Sequence, residues 1–216
     1  SALKLVILHS SIYSVLSKQA ALMKTHNLIN QTVTGFLLVG LLLLTRSGIV
    51  GSHFGSSLNP PDASWAVFWL MGALVVGRQW LIALFIGCIT ADLIAVTNGI
   101  GTECFTAAYV FLLPAYLSLW AAGQWFSKQN LPATYSWVAG IFSVMLGVTT
   151  CFAVSNLGMF LTSSSASNLF LFAYTQAVAQ YLPLYLMTTC MYVGIAYCGI
   201  YATGQLSTLF TQHQKV

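Results

Sequence analysis

The chain has 216 residues, of which seven are Lys or Arg, three are Asp or Glu, and 58% are hydrophobic. Charged residues make up 5% of the chain, against roughly 25% in an ordinary soluble domain. A water-soluble fold of this size cannot bury so much apolar surface, so lipid must cover it. The scarcity of basic residues also argues against a nucleic-acid partner, which would need a basic patch.

Six apolar runs follow one another along the chain. Residues 1–22 precede them, with Lys4, Lys18 and no long apolar run, and are predicted to be an upstream extension, a vector-derived remnant or a surface helix. Residues 23–216 are predicted to form a single transmembrane domain. Each run is near the roughly 20 residues that a helix needs to cross about 30 Å of hydrocarbon. The predicted spans are Leu28–Thr45, Ala63–Gly77, Trp80–Val96, Phe105–Phe126, Ala133–Ser155 and one inside Leu169–Thr203, in its second half.

The basic residues are divided unequally between the two sets of connecting segments. If the amino terminus is cytoplasmic, six of the seven basic residues fall on the cytoplasmic side, and only Arg46 falls outside, together with Asp62 and Glu103. Because basic residues mark the cytoplasmic side, both termini are predicted to be inside. The longer connections, which are rich in Gly, Ser and Asn, then face outward, as suits the capture of something from outside the cell.

Two residues in or beside the predicted spans are candidates for chemistry. Asp92 is the only acid inside a span and lies about one turn from its outer end. It either anchors a ligand in an outward-facing pocket, or it has a structural role in which it caps the next segment or bonds a neighbouring helix. Cys104 directly precedes the fourth span, where a helix N-terminus favours the thiolate, a soft metal ligand. A single loop cysteine also fits an incidental role.

Six stretches of the sequence carry a resemblance to a known family. They are Asp62–Phe68, Ala91–Asp92, Cys104–Trp120, Ser155–Phe160, Tyr181–Pro183 and Tyr192–Ala196. The most specific part lies in the third stretch and reads CFTAAYVFLLPAY. The stretches resemble the BtuM family of small cobalamin transporters, which are similar to the S-components of energy-coupling-factor (ECF) transporters. The resemblance covers 62–196. The proline expected soon after the cysteine of the family motif is replaced here by the sequence Thr106–Tyr109.

The resemblance implies an all-α, S-component-like bundle of six transmembrane helices in the bacterial inner membrane. It implies that cobalamin is the transported substrate and that the Cys104 thiolate is an axial ligand of its cobalt. The same ligation could promote loss of cyanide from cobalamin, a side activity. Transport would be solitary or energised by an ECF-type module. The implied substrate-binding residues are Cys104, Asp92 and Tyr109, with Trp65, Phe105 and Phe160 packing on the edge of the corrin.

Two other functions remain open from the residues alone. The chain could be an S-component-like transporter for another vitamin, in which Cys104 is incidental. It could also be an integral-membrane thiol enzyme, but an enzyme needs two or more convergent catalytic groups, and only Asp92, Glu103 and Cys104 are available. The chain has no GxxxxGK[ST] phosphate loop, so no ATP binding of that kind is predicted.

Overall fold

The apolar runs of the sequence fold into helices. The computed structural model describes residues 30–47, 61–75, 77–97, 107–129, 133–162 and 171–213, and only the backbone of 133–134 and 203–213. Within these ranges all regular secondary structure is helical, as predicted. The helices are α1 (30–46), α2 (Ser64–Leu74), α3 (Arg78–Thr97), a 3-10 helix (Ala107–Phe111), α4 (Leu112–Ser127), α5 (Ala133–Thr162), α6 (Leu171–Ala179) and α7 (Leu182–His213).

Three of the described helices are long and apolar enough to cross a membrane. They are α3, the stretch Tyr135–Thr162 of α5 and the stretch Leu182–Ala202 of α7. The helix α2 is apolar as well but has only 11 residues. The predicted all-helical architecture is therefore confirmed for the described residues, three of whose helices are long and apolar enough to cross a membrane, and the number of six spans stays a prediction.

The boundaries of two helices differ from the predicted spans for local reasons. The helix α2 ends at Leu74 and not at Gly77, because Val75 is extended, with φ of −119° and ψ of 126°. Gly77 has a φ of 137°, which side chains with a Cβ rarely adopt. The described part of the fourth span is a 3-10 helix over Ala107–Phe111 and becomes α-helical at Leu112. Pro114 lies in the first turn of α4, where its missing N–H removes no helical hydrogen bond.

The helix α2 forms the centre of the bundle. Residues 66–71, which carry the bulky side chains Phe68 and Trp69, are each at most 1% exposed. A helix that is apolar on all its faces is unfavourable in water and suits the enclosed centre of a bundle. The Trp69 indole N–H donates to Ser143 Oγ of α5 (3.1 Å), and Ser143 donates to the Ala122 carbonyl of α4 (2.7 Å). These two bonds tie α2, α4 and α5 together.

Two glycines bring the backbones of α2 and α4 into direct contact. A Cβ atom on Gly72 would collide with the carbonyl oxygen of Trp120, and a Cβ atom on Gly123 would collide with the carbonyl oxygen of Trp69. Small residues at a helix crossing allow this close approach, which is a common way for membrane helices to associate. The crossing fixes the position of α2, whose first turn carries part of the candidate site.

Helices that follow one another in the chain run in opposite directions from α1 to α4. Trp80 at the start of α3 packs on Gly35 near the start of α1. At the other end, the amide of Ala63, just before α2, donates to Thr45 Oγ1 near the end of α1 (3.2 Å). We call the end of the bundle at which α1 terminates the Arg46 end.

The outer surface of the bundle is apolar. In the stretch Leu182–Ala202, 6% of the residues are buried inside the protein, against 33% for each of the other two membrane-length helices. The exposed side chains on these helices include Ile86, Phe142, Met187 and Ile195. Such a surface is stable in contact with lipid and is unfavourable in contact with water.

Candidate functional site

Arg46 and Asp92 form an ion pair at the Arg46 end. Arg46 Nε donates to Asp92 Oδ1 (2.6 Å), and Nη2 donates to Oδ2 (2.9 Å), so the guanidinium and the carboxylate meet in the two-pronged geometry that makes such pairs strong. The side chains are 14% and 10% exposed, so the pair is largely withdrawn from solvent. Of the two predicted roles for Asp92, the bond to a neighbouring helix is therefore present.

The same guanidinium contacts three further side chains. Arg46 Nη1 donates to Tyr116 Oη (2.8 Å) and to Ser64 Oγ (3.3 Å), and it lies 3.5 Å from Asp62 Oδ2. We call this group, together with Asp92 and Tyr109, the Arg46 cluster. It joins the end of α1 to the first turn of α2, to the second turn of α4 and to α3.

Tyr109 approaches Asp92 from the 3-10 helix. Its hydroxyl donates to Asp92 Oδ2 at 2.7 Å, so the carboxylate is held by Arg46 on α1 and by Tyr109 at once. The structure thus brings together two of the predicted site residues, Asp92 and Tyr109. Cys104 and Phe105 lie outside the described residues, as does Glu103.

Asp62 links the cluster to the N-terminal end of α2. Its Oδ1 atom accepts hydrogen bonds from the Ser64 amide (2.9 Å) and the Ser64 hydroxyl (2.6 Å). A carboxylate is favoured at this end of a helix, because the unpaired amides there carry partial positive charge. The Asp62 side chain is 45% exposed, so its charge costs less to maintain than that of the enclosed Asp92.

A small pocket lies beside the first turn of α2, at Trp65. Its volume is about 90 Å³. The indole of Trp65 stacks on the ring of Tyr185, with centroids 4.4 Å apart and planes inclined by 20°. We call this the aromatic pocket. It is lined by Trp65, Phe152, Ser155, Asn156, Tyr181 and Tyr185.

The remaining predicted site residues lie in or near this pocket and not in the Arg46 cluster. Trp65 forms one wall of the pocket. Phe160 is not among the lining residues; its ring packs on Tyr174, with centroids 5.2 Å apart. Tyr174 in turn donates a long hydrogen bond to Asn156 Oδ1 (3.4 Å). The predicted site residues that the structure describes are therefore divided between the Arg46 cluster and the surroundings of the aromatic pocket. Both the cluster and the pocket include a residue from the first turn of α2.

Sequence reasoning missed Arg46 and Asn156 as site residues. Arg46 counted only as a topology signal, although a lone acid inside a span normally has a charged or polar partner, and Arg46 is the one basic residue on the same predicted side. That signal was available. For Asn156 no comparable signal exists, because an amide at the end of an apolar run is common and its neighbours come from distant parts of the chain.

The described residues contain no group of three or more His, Cys, Asp or Glu side chains that could hold a metal ion. Their cysteines are all free thiols: Cys88 and Cys151 are buried, and Cys190 and Cys198 are exposed. The predicted cobalt ligand, Cys104, is outside the part of the chain to which these statements apply.

Comparison with known proteins gives no family assignment. No protein-family model matches the chain, and no curated protein matches it at a significant level.

Proposed function

We propose that this chain is a multi-pass protein of the bacterial inner membrane that takes up cobalamin, which it binds at an outward-facing Arg46 end. In this proposal the chain crosses the membrane six times with both termini inside, and the Cys104 thiolate is an axial ligand of the cobalt. The excess of basic residues on the opposite side and the apolar surface of the bundle support this placement.

The observation that carries the proposal is the hydrogen bond between Tyr109 and Asp92. The resemblance places both residues in one cobalamin site, although they come from separate stretches of the sequence, and the bond joins them at one end of the bundle. Tyr109 follows Cys104 by five residues, so fixing Tyr109 limits where the Cys104 thiol can reach.

Asp92 has a positioning role in this proposal. Both of its carboxylate oxygens already accept hydrogen bonds from Arg46, and one also accepts from Tyr109. A carboxylate held in this way is poorly available to a ligand. We therefore propose that Asp92 acts on cobalamin through Tyr109 and the segment that precedes it, and not by direct contact with the corrin.

The test is the absorbance spectrum of the purified protein mixed with cobalamin, because the corrin bands report the axial ligands of the cobalt. We expect the wild-type protein and Cys198→Ala, which lacks an exposed cysteine of α7, to shift the spectrum, and Cys104→Ala to leave it unshifted. The shift should weaken as the pH falls, because a thiol must lose its proton to bind a metal.

The other outcomes separate the parts of the proposal. If Cys104→Ala and wild-type protein bind cobalamin equally and neither shifts the spectrum, the substrate stands and the axial ligand is wrong. If the wild-type protein holds no cobalamin, the proposed function is wrong.

A further inference from the structure

The aromatic pocket is uncharged and small. None of its lining residues is acidic or basic. Its volume of about 90 Å³ is below the roughly 300–1,000 Å³ of sites that enclose a whole drug-sized ligand. It is also below the roughly 150 Å³ cavity that holds a single benzene molecule. The pocket therefore suits a short, neutral arm of a ligand whose main body lies elsewhere.

The hydrogen bonds of Asn156 identify what such an arm would need to carry. Asn156 Nδ2 donates one of its two N–H groups to the Phe152 carbonyl (2.9 Å), which fixes the orientation of the amide, because only the nitrogen can face a carbonyl oxygen. From the part of the chain that the structure describes, Asn156 Oδ1 accepts only the long bond from Tyr174, which leaves it a second lone pair. Among the described residues, one donor and one acceptor of Asn156 are thus without a partner, side by side.

Ser155 adds acceptor capacity to the same wall. Its hydroxyl donates to the Phe152 carbonyl (3.1 Å), so the hydroxyl oxygen retains its lone pairs and offers no further proton. A carboxylate would set two acceptor oxygens against these acceptors, with no cation lining the pocket to offset the charge. An ammonium group would find no carboxylate. The set of groups fits a neutral partner that both donates and accepts.

We propose that the aromatic pocket binds a primary carboxamide arm of the transported ligand through two hydrogen bonds with Asn156. The amide nitrogen of the ligand donates to Oδ1, its oxygen accepts from Nδ2, and the stacked pair of Trp65 and Tyr185 forms the aromatic wall of the pocket beside the arm. This inference rests on the proposed function, because cobalamin carries carboxamide arms around its corrin.

The test compares cobalamin with the monocarboxylate derivatives in which one carboxamide arm has been hydrolysed. The wild-type protein should bind at least one derivative about tenfold or more weakly than cobalamin, because a buried hydrogen bond is lost and a charge is left unpaired. Asn156→Leu should bind cobalamin about tenfold more weakly and should lose the discrimination against that derivative. Thr150→Leu is the matched control, an exposed polar residue on the same helix, and should behave as wild type.

Asn156→Asp tests the same point in a variant of unchanged shape, in case Asn156→Leu does not fold. It should disfavour the monocarboxylate more strongly than wild type does, because two carboxylates would then face each other. If wild type binds cobalamin and both Asn156 variants keep the wild-type discrimination, the carboxamide site is wrong while the proposed function stands. If wild type binds no cobalamin, the proposed function is wrong and the inference falls with it.

Discussion

Arg46 forms two parallel hydrogen bonds with Asp92 in surroundings where neither side chain meets much water. Removing one partner of such a pair leaves an uncompensated charge, whereas removing both leaves none. We expect Arg46→Gln and Asp92→Asn each to destabilise the protein by about 3–5 kcal/mol, and the double variant to recover much of that loss. Thermal unfolding in detergent measures the difference. Arg78→Gln, at an exposed position at the start of α3, is the control and should change little. Equal effects at the two arginines would contradict the role given to the pair.

A substitution at Tyr109 perturbs the Arg46 cluster less than the loss of a charged side chain does. Tyr109→Phe removes only the hydroxyl that donates to Asp92, so we expect a stability loss of about 1.5–3 kcal/mol, typical of a hydrogen bond to a charged group. If Tyr109 positions the segment that carries Cys104, the variant should bind cobalamin more slowly but reach the same final spectrum. Stopped-flow absorbance separates the rate from the end point. Tyr135→Phe, at an exposed tyrosine of α5, should match wild type in both.

The residues of the candidate site were partly predictable. Asp92 stands out as the one acid inside an apolar run, and the resemblance adds Tyr109. Arg46 was predicted at the same end of the bundle as Asp92, which the ion pair confirms, but it was not predicted as the partner of Asp92. The sequence shows how far along its helix a residue lies. Its partners also depend on which faces of the helices contact each other, and packing contacts such as those of Gly72 and Gly123 determine those faces.

The crossing of α2 and α4 is the contact on which the arrangement of helices depends most directly. Gly123→Ala would place a methyl group against the Trp69 carbonyl, a backbone atom that cannot move aside without shifting the whole helix. We expect a loss of about 1–3 kcal/mol in the free energy of unfolding, as for other overpacked interiors.

Gly40 provides the matched control for this prediction. A Cβ atom there meets nothing within 4 Å, so Gly40→Ala should be neutral or stabilising by up to about 1 kcal/mol, the difference in helix propensity. Similar losses at Gly40 and Gly123 would mean that the glycines matter for helix flexibility and not for the close contact.

Hydropathy predicted where helices lie better than where they end. The fifth span was predicted to end near Ser155, yet α5 continues to Thr162. Ser155 and Asn156 lower the local hydropathy, but both side chains bond to the Phe152 carbonyl within the helix and so do not interrupt it. At the last span, the backbone turns at Gln180–Tyr181, and α7 begins just before Pro183, which is tolerated in a first turn. The ends of the helices depend on local hydrogen bonds and backbone angles, and the mean hydropathy of a run carries no information about either.

At the scale of the whole molecule, the candidate site and the short basic turns lie at opposite ends of the bundle, so the orientation in the membrane decides whether the site faces outward.

The proposed orientation can be tested with Thr97→Cys, at the end of α3, and Ser127→Cys, at the end of α4, which are both exposed. Each is made in a variant in which Cys104, Cys190 and Cys198 are replaced by serine. In intact spheroplasts, a membrane-impermeant maleimide should label the cysteine at 97 and should reach the one at 127 only after the membrane is permeabilised. The reverse pattern would turn the Arg46 cluster and the aromatic pocket toward the cytoplasm, and capture of an external ligand at that end would then be impossible. Labelling of both positions in intact cells would contradict the antiparallel placement of α3 and α4 across the bilayer.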